Sequence, residues 1–119
     1  MQDIDYMLAR LRMSKFRSSF HLRKYMIEYI NDKGLDTIKS HAYDFITKRV
    51  GPSNISNDGK QTPMKGHPVF IAQHACACCC RGCIEKWYGI PKGRALSNDE
   101  INYFVSLLMK WIEREYKND

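Results

Sequence analysis

All five cysteines of this 119-residue chain, Cys76, Cys78, Cys79, Cys80 and Cys83, fall between positions 76 and 83. A secreted disulfide scaffold spreads its cysteines so that each bridge ties distant segments together, and an odd number leaves one thiol over. A cluster this tight can staple nothing distant, so the fold must be held by an ordinary apolar core. The composition allows one, because 44% of the residues are hydrophobic. A chain of this length is expected to build one domain around one such core. No run approaches the ~18 apolar residues of a membrane span, and Asp3 and Asp5 stand where a secretory leader carries positive charge. The reading is a soluble cytoplasmic protein that does not enter a membrane.

The apolar residues recur with helical spacing. From His21 to Asn31, Leu22, Tyr25, Met26, Tyr29 and Ile30 form one stripe that Gly34 terminates. A second helix is expected from an N-cap at Asp36 or Thr37, with Ile38, Ala42, Phe45 and Ile46 inward, ending before Gly51-Pro52. Pro68 suits the first turn of a third helix, through Val69, Phe70, Ile71 and Ala72, which leads into the cysteines. Ile84 to Tyr88 forms another, stopped at Gly89-Ile90-Pro91. Ser97 and Glu100 make a capping box, and behind it Ile101, Phe104, Val105, Leu108 and Ile112 line the clearest stripe in the chain. No segment alternates as a strand would. The expected fold is all-α, a compact bundle of four to five short helices, with residues 20–119 as one helical domain and residues 1–19 as an N-terminal arm. Between 51 and 66 the chain is polar and aperiodic, a long ordered loop of the kind that carries function.

The cysteines admit three readings. Cys80-Arg81-Gly82-Cys83 and Cys76-Ala77-Cys78-Cys79 both have the two-residue spacing that lets a pair of sulfurs converge on zinc, and His67 and His74 stand just upstream. Alternatively a helix running on from Pro68 would place Val69, Ala72, Cys76, Cys79 or Cys80, and Cys83 on one stripe as small core residues. Thirdly, Arg81, Lys86 and a helix end would lower a thiol pKa and make Cys79 or Cys80 a nucleophile in a thiol-dependent enzyme. The metal reading leads: a site of His67, His74, Cys79, Cys80 and Cys83 with the 57–67 loop beside it, holding zinc, with an iron–sulfur cluster as second choice. His41, on the edge of its helix's apolar stripe, is expected as a boundary histidine with a satisfied hydrogen bond.

Positive charge is concentrated early. Residues 1–50 carry ten basic and six acidic side chains, 51–95 six and two, and 96–119 three and five, for a total of +6. Lys60, Lys65, Arg81, Lys92 and Arg94 surround the loop and the cysteines as candidate contacts to nucleic acid or another phosphate-bearing ligand. A basic nucleic-acid-associated module is therefore the alternative class.

The stretch His67-Pro68-Val69-Phe70-Ile71-Ala72-Gln73-His74-Ala75, then Cys79-Cys80-Arg81-Gly82-Cys83, Lys86-Trp87 and Ile90-Pro91-Lys92-Gly93, resembles the signature of a small uncharacterised bacterial family, a domain of unknown function. Asn57-Asp58-Gly59-Lys60-Gln61-Thr62-Pro63 and His41-Ala42 resemble its other motifs. The resemblance covers about residues 15–115 and makes Met1 to Ser14 an extension. It implies that Cys79, Cys80 and Cys83 belong to the pattern, that Cys76 and Cys78 need not, and it implies no activity.

Overall fold

The computed structural model describes residues 1–118. Six α-helices follow one another: α1 (Ile4–Arg12), α2 (Lys24–Lys33), α3 (Leu35–Phe45), α4 (Pro68–Ala75), α5 (Arg81–Tyr88) and α6 (Asn98–Lys117). A 3₁₀ turn at Arg17–Ser19 separates α1 from α2, and a π-helical turn at Ile46–Val50 extends α3. There is no strand among the described residues, so the fold is all-α as expected. No described helix is long and apolar enough to cross a membrane.

α6 is the central post. Its Ser97 side chain accepts from the Glu100 amide while the Glu100 carboxylate accepts from the Ser97 amide, closing the capping box. Phe104, Leu107, Leu108 and Ile112 are fully buried. Around them pack Ile38, Ala42, Ile46 and Val50 of α3 and its π turn, Val69 and Ala72 of α4, and Ile84 of α5.

The segment read as an N-terminal arm is the sixth helix. Asp3 caps α1 by accepting from the Tyr6 amide, and Met7, Leu8 and Leu11 are at most 3% exposed within the same core cluster. Their spacing, i, i+1 and i+4, marks one short inward face against α6, which a mixed nine-residue helix barely advertises. The α2–α3 junction also differs from expectation. Gly34, at φ +85°, ends α2 and directly precedes α3, so neither Asp36 nor Thr37 is the cap.

The polar loop is fixed by hydrogen bonds. Asp58 accepts from the Arg81 and Gly82 amides at 2.9 and 3.0 Å, capping α5 from outside. Gln61 donates to Asp58, and Arg49 donates to the Gln61 carbonyl. Gly66 donates to the Tyr25 hydroxyl. At its base Thr62 is buried and donates to the Cys79 carbonyl at 2.8 Å. The loop is thereby held against the cysteine segment.

Candidate functional site

The cysteines do not continue α4. The Cys78 amide reaches back to the Gln73 carbonyl at 3.0 Å, the Ala77 amide to that of His74 at 3.4 Å, and Ala77 takes a left-handed φ of +57°. This is a Schellman termination with alanine where glycine is usual, and the left-handed alanine costs about 1 kcal/mol of strain. The chain then bends at Cys79 and reaches Cys80, the extended N-cap of α5, whose Sγ accepts from the Cys83 amide at 3.4 Å. The single-stripe packing geometry is therefore not formed. Cys76 and Cys78 are fully buried and pack in the core, as the resemblance allowed.

The turn brings Cys79, Cys80 and Cys83 together, their sulfurs all within 4.8 Å of one another. Cys79 and Cys80 are 7% and 8% exposed, and Cys83 is half-buried. A zinc ion at about 2.3 Å from each thiolate sets tetrahedral sulfurs about 3.8 Å apart, so a small contraction of this trio would close on an ion. These three cysteines could hold a metal ion.

Arg17, on the 3₁₀ turn, is the residue that sequence reasoning missed. It is 8% exposed; one terminal nitrogen donates to the His74 carbonyl at 2.7 Å and approaches Cys79 Sγ at 3.7 Å, and the other donates to Cys83 Sγ at 3.1 Å. It lies more than fifty positions from its partners in sequence, and nothing local distinguishes it from the other early cations. Its guanidinium makes a negatively charged sulfur cluster favourable. The Cys83 thiol is lowered to about 5, first by the hydrogen bond from the Cys79 thiol and, against the opposing effect of burial, by Arg17 and Cys80. Cys79 is pushed up, by that same hydrogen bond to Cys83 and then by burial, and burial raises Cys80. The most acidic thiol is thus Cys83, not the Cys79 or Cys80 expected of a nucleophile. For Arg17 burial acts downward, but the sulfur partners outweigh it and raise it.

Neither histidine joins the sulfur trio. His74 Nε2 lies 3.1 Å from the carbonyls of both Thr62 and Pro63, so it carries the proton and ties α4 to the loop, and the ring stacks on Phe20. His67 caps α4: its Nδ1 accepts from the Val69 amide, which puts the proton of the neutral ring on Nε2, 3.0 Å from His41 Nδ1. His41 is therefore an acceptor in a hydrogen-bonded pair, a satisfied boundary histidine. Burial first and His41 second lower His67 to about 4.

The candidate phosphate contacts divide. Arg81 is buried and donates to the carbonyls of Val50, Pro52 and Pro91, tying three segments together. Lys92 pairs with Asp58 and Arg94 with Glu100. Of these five, Lys60 and Lys65 are the two that are exposed and make no ion pair among the described residues.

A family model described as domain of unknown function (DUF4186) matches residues 5–113, so it takes in α1 rather than beginning after Ser14. No solved structure matches the chain. The chain belongs to the DUF4186 family.

Proposed function

We propose that this DUF4186 domain is a small metal-binding protein that holds one zinc ion on Cys79, Cys80 and Cys83. The observation that carries the reading is the convergence of three sulfurs within 4.8 Å beside a buried arginine that donates to two of them. A dication on three thiolates leaves one net negative charge. Arg17 neutralises it, whereas an isolated buried arginine would be costly. A monovalent ion would leave two negative charges against one guanidinium, which disfavours it. Thiolate ligands and a d¹⁰ dication of tetrahedral preference point to zinc. Three protein ligands leave the fourth position to water or an exogenous ligand, the pattern of a site with chemistry to do rather than of a closed structural shell.

Cobalt substitution tests the ligand set. Metal-free protein titrated with Co²⁺ is expected to develop sulfur-to-cobalt charge-transfer absorption that saturates at one equivalent and is lost in Cys83→Ser. Saturation without that absorption would exclude thiolate ligation.

A second reading rests on the low pKa of Cys83: in the metal-free protein this one thiol is the nucleophile. Its mark is alkylation at neutral pH much faster than that of the other four cysteines, and uniform rates would defeat it.

A further inference from the structure

Arg17 has a second face. A cavity of about 340 Å³, a volume within the range of small-ligand sites, is lined by residues of α1, of the 3₁₀ turn and of α6. Phe20 and Trp111, both half-buried, supply the accessible apolar wall over the buried Leu8, Leu11 and Ala75, and Arg12, Arg17 and Arg114 line it as well. Two of those three cations are already engaged. Arg17 donates to sulfur and to the His74 carbonyl, and Arg114 donates to Asp5 at 2.6 Å. Among the described residues the one carboxylate in the wall, Glu115, accepts from the Leu22 amide and contacts His21. Arg12 has neither an ion pair nor a side-chain hydrogen bond among the described residues, and it stands at the exposed lip.

A pocket of mixed lining, with two half-buried aromatic rings, Phe20 and Trp111, and one uncommitted guanidinium, has the chemistry for a molecule with an apolar body and one terminal anionic group. We propose that this cavity binds a small amphipathic carboxylate, its hydrocarbon portion against the rings of Phe20 and Trp111 and its carboxylate paired with Arg12. The planar fork of arginine suits a carboxylate held through two parallel hydrogen bonds. Glu115 in the same wall opposes a dianion such as a phosphate monoester. The proposal is independent of the metal: the sulfurs do not line the cavity.

Trp111 is the built-in reporter, and octanoate is the probe. Full-length protein, both metal-free and zinc-loaded, is titrated with sodium octanoate, octanol and sodium acetate, following tryptophan fluorescence and heat of binding. Octanoate is expected to bind at one site per chain and to perturb Trp111, with the fluorescence change absent in Trp111→Phe, which retains Trp87. Octanol and acetate are expected to bind at least tenfold more weakly. Arg12 is exposed, so Arg12→Ala will fold; it should weaken octanoate at least fivefold and leave octanol unchanged. Equal affinity for octanol and octanoate, or an Arg12→Ala protein that binds octanoate as the wild type does, would overturn the proposal. The metal-free titration separates this outcome from any failure of the zinc reading.

Discussion

At the residue scale, two side chains decide the behaviour of the site, and only one was legible. Cys83 belongs to a motif visible in the sequence, but its acidity comes from Arg17 and the Cys79 thiol, which the fold supplies. In metal-free protein the Cys83 thiolate should persist well below neutral pH, with alkylation half-maximal near pH 5 and rising above it. Arg17→Met should move that midpoint upward, as read from the pH profile of alkylation; an unmoved midpoint would assign the acidity to the neighbouring thiols of Cys79 and Cys80. His67 was legible as a special residue, but its spacing to the cysteines says nothing of the partner it meets in the fold, His41. Its native pKa near 4 lies below the ordinary value of 6.5. The unfolded chain takes up a proton below 6.5 that the folded chain refuses until about 4. Stability should therefore be full above pH 6.5 and decline between 6.5 and 4. Urea midpoints across that range, compared with His67→Asn, test this: the variant should show a shallower decline.

At the scale of elements, the helices whose ends obey local chemistry were readable and the others were not. The Ser97–Glu100 box marked α6 because both partners lie within one turn. The end of α4 was hidden because alanine, not glycine, occupies the left-handed position at 77, so the sequence reads as though the helix ran on through the cysteines. That one residue separates a packing stripe from a sulfur trio. The cap of α5 was equally hidden, since Asp58 reaches it across more than twenty positions of chain. Burial acts to raise Asp58, but Gln61, the Arg81 and Gly82 amides and Lys92 together bring it below the ordinary carboxylate range. Asp58→Ala removes the acceptor from two amides and should cost about 1–2 kcal/mol, measured by urea unfolding. Gly82→Ala should weaken the same clamp, because a Cβ there would stand 3.3 Å from Asp58 Oδ2.

At the scale of the whole molecule, the all-α class and the inward stripes of α3 and α6 followed from periodicity, as did Met26 and Ile30 of α2 though not its exposed Tyr25, whereas the place of α1 did not. Three inward residues on nine are too few to announce a core helix, yet α1 closes one side of α6 and leads into the turn that carries Arg17. Leu8, 2% exposed, should behave as a core residue: Leu8→Ala should cost about 2–5 kcal/mol, where a residue in a peripheral arm would cost almost nothing. Such a loss would also disturb the site, because α1, the 3₁₀ turn and Arg17 are continuous in the chain. The central claim is that this bundle is arranged to hold one divalent metal on Cys79, Cys80 and Cys83. It is tested most directly by elemental analysis of untagged protein purified without added metal, alongside the Cys79→Ser, Cys80→Ser, Cys83→Ser triple variant. The account predicts close to one equivalent of zinc in the wild type, none in the variant, and a lower melting temperature for the wild type after chelation. Less than about a tenth of an equivalent of any transition metal, with no response to chelator, would contradict it.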